Sequence, residues 1–321
     1  MDFTIQRLSP ADAQGIVACF QRVYGDTYAE GLFYDAQQLR NKLANGSLCS
    51  VGAVTATGQV IGHMAMTIRT PLQTPELGNT VVDPDMRGAG LAWQIGAELT
   101  RWCAQLGYPG FIHYPTAAHH IMQRQSVKNG FEVGLMLGYI PAGTDGKTDA
   151  HNKLTRKAAT IVYEPLPTAA AHRATQKNGY LPAYGADFIQ RACAETGLQR
   201  TWQSQTAPPS ATPGQTDTTV YARRSLARLT AATIGADIGN RIAAMEATPC
   251  ACYQLDLPMD SAALNAAVQS AVQAGYLFCG WLPGHQNADV LRLQKVDPQQ
   301  TDFAPVLENA FAQDLLTWLR G

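Results

Sequence analysis

The hydrophobic pattern of the chain changes period repeatedly, and each change marks an element. Phe3-Thr4-Ile5-Gln6-Arg7-Leu8 alternates apolar and polar positions, the period of a half-buried strand. Ser9-Pro10-Ala11-Asp12 supplies an N-cap and a first-turn proline, and the spacing that follows predicts a helix over 11–24. A loop over 25–33, rich in aromatic and small residues, leads to a short helix over 36–44 closed by Asn45-Gly46. Strands at 49–56 and 60–69 flank Thr57-Gly58-Gln59, a hairpin connection. A strand over 76–82 stops at Asp83-Pro84, and Arg87-Gly88-Ala89-Gly90-Leu91-Ala92 follows. Leu91, Ile95, Leu99, Trp102, Cys103 and Leu106 then recur at helical spacing, and Gly107 ends that helix. A strand at 111–114, a helix at 117–129 and a strand at 132–140 come next.

Residues 142–156 are polar and glycine-bearing, which predicts the close of a first domain near Pro141. Beyond them the pattern predicts strands at 159–165, 219–225, 251–257 and 290–295, with helices at 183–197, 237–246, 261–275 and 303–319. Residues 204–217, rich in Pro, Ser, Thr, Gln and Gly, read as an exposed loop inside the second domain. Gly275-Tyr276-Leu277-Phe278 carries a helix into a strand as Gly130-Phe131 does, and Pro283 and Pro141 follow. The division expected is therefore 1–145 and 158–321, the second a degenerate copy of the first.

The turn at 83–92 carries chemistry. A strand that stops, turns through glycines and opens a helix leaves backbone N–H groups unpaired and pointing one way. With the positive end of the helix dipole they suit phosphate oxygens, and glycine leaves no Cβ in the way. No G-x-x-x-x-G-K-[ST] and no G-x-G-x-x-G is present, which excludes the commonest nucleotide loops. What stands is Arg87-x-x-Gly90-x-Ala92, which resembles the Arg/Gln-x-x-Gly-x-Gly/Ala signature of the GNAT (Gcn5-related N-acetyltransferase) superfamily. The order of elements over 3–141 fits that family, and Lys128-Asn129-Gly130-Phe131 resembles its Tyr-x-Lys-x-Gly-Phe segment. More narrowly, the chain resembles bacterial two-part acetyltransferase-like proteins. Tyr24-Gly25-x-x-Tyr28, Gly46-Ser47-Leu48-x-Ser50, Gly134 to Pro141 and Leu291-Arg292-Leu293-Gln294 carry that likeness.

The resemblance implies an α/β (α+β) fold of two tandem GNAT-like domains, each a mixed, mostly antiparallel sheet flanked by helices. It implies acetyl-CoA, or another acyl-CoA, as co-substrate, and no metal. The diphosphate would lie on Arg87, Gly88, Ala89, Gly90, Leu91 and Ala92, with the acyl carbonyl met by backbone N–H groups around Val81-Val82. Leu257-Pro258-Met259-Asp260-Ser261 stands where the second copy would carry its loop, so that copy is not expected to hold CoA. The activity implied is N-acyl transfer to a primary amine by direct attack. The alternative is a non-catalytic acyl-CoA sensor or scaffold.

Glu76, eleven positions before Arg87, is the candidate general base, its pKa raised by burial, or else an exposed Glu at a strand start. The position at which many relatives carry an acidic tyrosine is Ser126, which can hydrogen-bond sulfur but donates a proton poorly. His119 or His120 could take over acid or base duty, or serve as surface histidines. Tyr24, Tyr28 and Phe33, with Tyr34, either line the acceptor pocket or fill the core.

Composition narrows the setting. At 321 residues and 46% hydrophobic, the chain can build two cores. A net charge of −1 gives no reason to expect nucleic acid or a membrane surface. No apolar run approaches the ~18 residues of a spanning helix, and MDFTIQRL lacks a signal-peptide pattern. Seven scattered cysteines suit a reducing compartment, and Cys250-x-Cys252 fits strand alternation better than a metal pair. The expectation is a cytoplasmic protein with a small-molecule or peptide amine as partner. A tandem pair would serve as a monomeric pseudo-dimer, or form a homodimer.

Overall fold

The computed structural model describes residues 2–69, 73–118, 120–144, 154–166, 177–203, 206–285 and 287–321. The first strand, β1 (Phe3–Leu8), ends in a capping box: the Ser9 hydroxyl accepts from the Ala11 N–H, and Asp12 accepts from the Ser9 N–H at 2.7 Å. Helix α1 (Ala13–Tyr24) follows, then α2 (Ala36–Ala44), whose first turn is capped by Asp35 on the N–H groups of Gln37 and Gln38. Strands β2 (Leu48–Thr55), β3 (Val60–Thr67) and β4 (Glu76–Val82) then pair antiparallel in sequence order beside β1. Every residue of β2 is buried because both faces are covered. Leu48 and Val54 pack with Ile16 and Phe20 of α1, whereas Cys49, Val51 and Ala53 pack under α3 (Leu91–Gln105).

Strand β5 (Gly110–His113), helix α4 (His120–Ser126) and strand β6 (Phe131–Ile140) complete the run to Pro141. Strand β7 (Lys157–Pro165) inserts between β5 and β6, antiparallel to both. The sequence pattern puts this strand at the start of a second domain; its pairing puts it inside the sheet of the first. The helix expected over 117–129 is described only as 120–126.

Farther on, β8 (Lys177–Tyr180) and β9 (Arg200–Gln203) form a parallel pair joined by α5 (Ala186–Thr196). Then come β10 (Thr216–Tyr221), β11 (Leu226–Ala231), α6 (Ile238–Glu246), β12 (Cys252–Pro258), α7 (Leu264–Gln273), β13 (Leu277–Leu282), β14 (Val290–Val296) and α8 (Ala310–Arg320). The single strand expected over 219–225 is two, β10 and β11, which pair antiparallel.

One twelve-stranded sheet results, ordered β1-β2-β3-β4-β5-β7-β6-β13-β14-β12-β11-β10. Its two halves meet at β6 and β13, where Gly134 opposes Gly280. A Cβ on Gly280 would lie 2.8 Å from the Val133 carbonyl oxygen, so the seam requires glycine. Core residues on both sides, Val133, Leu135 and Ile161 with Phe278, Trp281 and Phe311, form one continuous cluster.

A succession of pairings occurs twice. In the first half β3–β4 is antiparallel, β4–β5 is parallel with α3 between, and β7 lies antiparallel to β5 and β6. In the second, β10–β11 is antiparallel, β11–β12 is parallel with α6 between, and β14 lies antiparallel to β12 and β13. The turn in the second half that matches the glycine turn is therefore 232–237, ahead of α6. Leu257–Ser261, expected in that place, is one strand–helix unit too late.

Candidate active site

Strand β4 is not regular. Ala65 opposes Gly78 and His63 opposes Val81, so Asn79 and Thr80 together face Met64: a bulge of one residue. Asn79 takes φ 55°, a left-handed conformation that Asn tolerates better than most residues. Two side chains fix it, and a third holds one of them. The Asn79 carbonyl lies 3.0 Å from His63 Nδ1, and its side-chain oxygen accepts from the Tyr28 hydroxyl at 3.0 Å. A carbonyl can only accept, so Nδ1 carries the proton and Nε2 accepts from the Ser50 hydroxyl at 3.1 Å. Burial pushes the His63 pKa down to about 4, so the ring is neutral at ordinary pH.

Beyond the bulge, Val81 and Val82 pair with His63 and Gly62. Val81 is buried among Phe20 and Phe33, so its side chain serves the core and only its backbone could face a ligand. Asp83, held by Arg22 at 2.9 Å, opens a 3-10 turn over Pro84–Met86. Gly88 (φ 86°) and Gly90 (φ 69°) then bring the chain into α3. No side chain caps α3, so its first-turn N–H groups lack an intrahelical partner and a cap alike. A Cβ on Gly88 or Gly90 would meet nothing within 4 Å. Arg87, Gly88, Ala89, Gly90 and Ala92 are exposed, whereas the Leu91 side chain anchors the turn in the core. The result is a solvent-exposed turn of N–H groups at the positive end of a fifteen-residue helix.

Strands β4 and β5 pair only at Glu76↔Ile112 and Leu77↔His113. From Gly78 to the glycine turn β4 has no register partner in β5, so the two strands pair only at their start.

Residues 14–125 match the family model described as the acetyltransferase (GNAT) family. This part of the chain belongs to the GNAT superfamily. Among solved structures, the ribosomal-protein-S18-alanine N-acetyltransferase of Escherichia coli aligns at 16% identity and TM-score 0.40, over 51% of this chain and 94% of its own. A GNAT phosphinothricin acetyltransferase of Sinorhizobium meliloti, in complex with AcCoA, aligns at 20% identity and TM-score 0.41, over 53% of this chain and 92% of its own. The PaiA N-acetyltransferase of Thermoplasma acidophilum, in complex with coenzyme A, aligns at 18% and 0.37, over 52% and 100%. No curated protein matches the chain.

Several side chains expected at the GNAT site are placed otherwise. Glu76 is largely buried but does not have the raised pKa of a base. Burial acts upward and is the largest single influence. The guanidiniums of Arg69, Arg228 and Arg292 and the Tyr114 hydroxyl outweigh it together and hold the pKa at about 2. Arg69 Nε and Tyr114 Oη each lie 2.8 Å from its carboxylate. Ser126 is buried, and its hydroxyl donates to the Met122 carbonyl one turn back, which leaves no proton for a thiolate. His119 lies outside the described residues. His120 is exposed and pairs with Glu308. Phe33 is fully buried and stacks on Phe20 at 4.4 Å, a core residue and not a pocket wall. Tyr24 and Tyr28 are half-buried at the rim of that aromatic cluster, and Tyr28 acts on the bulge through Asn79.

A cavity of about 530 Å³ opens where the start of β4 meets the second half of the sheet. Arg69 and Glu76 line one side; Arg228, Asp256 and Arg292 line the other. These residues carry a signal in the sequence. Arg228-x-Thr230, Gln254-x-Asp256 and Arg292-x-Gln294 place polar residues at period 2 in strands whose other positions, Leu229, Leu255 and Leu293, are buried. A strand with one polar and one apolar face usually borders water. Here both faces are buried, so the polar one lines an internal cleft.

Proposed function

We propose that the protein transfers an acyl group, acetyl in the first instance, from acyl-CoA to a primary amine by direct attack. The open, uncapped turn ahead of α3 carries this reading. Gly88, Gly90, Leu91 and Ala92 offer backbone N–H groups, and Arg87 a guanidinium, to the diphosphate, whereas the Ala89 N–H donates to the Met86 carbonyl at 3.4 Å. When bound, the co-substrate supplies an activated thioester. A backbone N–H around Val81-Val82, just past the bulge held by His63 and Tyr28, would donate to the thioester carbonyl. Glu76 stays ionised, so its task is to attract and orient the amine as its ammonium form. The ammonium gives its proton to water, and the neutral amine attacks the thioester carbon. The C–S bond breaks as the C–N bond forms, and CoA leaves as a thiolate that is protonated from water.

The second half of the sheet is read as a degenerate copy of the same fold, because its strands repeat the pairings of the first. It provides the far wall of the cleft at Glu76 and lets one chain act as its own pseudo-dimer. The acceptor is a small-molecule or peptide amine, and the seven free thiols fit a cytoplasmic setting. Among the described residues no helix is long and apolar enough to cross a membrane.

Thiol release from acetyl-CoA over a panel of amines tests the activity. Release above background with at least one amine is expected. Stabilisation by acetyl-CoA without release for any amine would leave a CoA-binding sensor in place of an enzyme.

A further inference from the structure

The cleft beside Glu76 has an excess of positive charge at one place. Arg292 forms a fork-to-fork pair with Asp256, both contacts at 2.7 Å, and Arg69 pairs with Glu76. Arg228 has no such partner. Its Nε and Nη2 both donate to the neutral side-chain oxygen of Gln254, at 3.0 and 2.8 Å, and its nearest carboxylate oxygen, on Asp256, is 3.9 Å away. The third lining carboxylate, Asp217, is exposed at the rim, where it accepts from Thr219. Three guanidiniums thus face two carboxylates within the cleft, and Arg228 is only 7% exposed.

Burying a cation without an anion is costly, and the cost is removed when a ligand supplies one. A guanidinium fork matches a carboxylate in shape as well as charge. The volume, about 530 Å³, suits a small molecule better than a folded partner. The same cleft is lined by Glu76, an anion suited to an ammonium group and close enough to Arg228 to feel its charge.

We infer that the cleft takes a small acceptor carrying both an amine and a carboxylate, an amino acid or a close analogue. Its carboxylate lies on Arg228 and its amine lies toward Glu76. The inference rests on the acyl-transfer reading for the direction of the amine, whereas the carboxylate site stands on the cleft itself.

The test compares the common amino acids with their carboxamides at millimolar concentration, by thermal shift with and without acetyl-CoA. Wild-type protein is expected to bind at least one amino acid about 10-fold more tightly than its amide. Arg228→Gln is expected to erase that preference while acetyl-CoA affinity stays within about 2-fold, which also reports an intact fold. Equal binding of acid and amide overturns the inference, as does no binding of any amino acid. The acid–amide comparison on the wild-type protein stands even if the variant fails to fold. Failure of acetyl-CoA to bind, with the acid preference retained, would overturn the acyl-transfer reading and leave the carboxylate site.

Discussion

The turn ahead of α3 and the turn ahead of α6 hold the same place in the strand pairing, between two parallel strands, yet one is open and the other is filled. At the first, added side-chain atoms on Gly88 or Gly90 meet nothing. At the second, a Cβ on Gly235 would run into the backbone of Thr212 and Gly214. There the chain over 210–214 occupies the space a ligand would need. The Ala236 N–H donates to the Ser210 carbonyl at 2.8 Å, and the Gly214 N–H donates to Asp237 at 2.7 Å. The two turns need glycine for different reasons: Gly235 for the close approach of the 212–214 backbone, Gly88 and Gly90 for their positive φ. The open turn is the feature on which the proposed acyl-CoA site rests.

Substitutions at the two turns separate binding from folding. Gly90→Glu should lower acetyl-CoA affinity by about 1000-fold, through charge repulsion and lost hydrogen bonds to phosphate. Circular dichroism should still report a folded protein. Gly235→Ala should do the reverse: a stability loss of about 3 kcal/mol in urea titration, from overpacking against backbone, with acetyl-CoA affinity of the folded fraction unchanged. If Gly235→Ala weakened acetyl-CoA binding as much as Gly90→Glu, the contrast between the turns would be lost.

The seam between the halves offers a third, smaller effect. Glu132 of β6 is buried; one oxygen accepts from the Ala312 N–H in the first turn of α8, and the other has no partner among the described residues. Burial is the main cause that raises its pKa to about 7. A carboxyl with a raised folded pKa contributes its full stability below about 4.5 and loses it as pH rises through 7. Glu132→Gln should therefore stabilise the protein by about 2 kcal/mol at pH 8 and change little at pH 4. His63 acts in the opposite sense. Its folded pKa of about 4 lies below the ordinary 6.5, so stability falls as pH drops from 6.5 toward 4. Thermal melts of wild type and Glu132→Gln across that range separate the two groups.

The smallest effect concerns glycine alone. Gly88→Ala should cost about 1 kcal/mol of backbone strain at φ 86° and no more, since its Cβ enters open space. A loss of acetyl-CoA affinity beyond that in the same variant would place the ligand against residue 88.

Much of the first half was legible in the sequence because its signals are local. Ser9-Pro10, Asn45-Gly46 and Asp83-Pro84 punctuate elements that pairing confirms, and α2 and β4 fall where periodicity puts them. The glycine turn was legible for the same reason. What escaped is non-local. Nothing in Lys157–Pro165 says that it will pair with β5 as well as β6, and a buried apolar strand fits either half. The bulge that His63 and Tyr28 secure depends on a register shift between two strands. Arg228 and Arg292 stand some 150 or more positions after Glu76, and their effect on its pKa follows from the folding of one half onto the other. Sequence spacing alone made Glu76 resemble a base; its neighbours make it an anion.

Isothermal calorimetry of the wild-type protein with acetyl-CoA tests the open turn most directly. Saturable heat is expected for wild type and for Gly235→Ala, and none for Gly90→Glu. Absence of heat in the wild type, or equal heat in Gly90→Glu, would contradict the account.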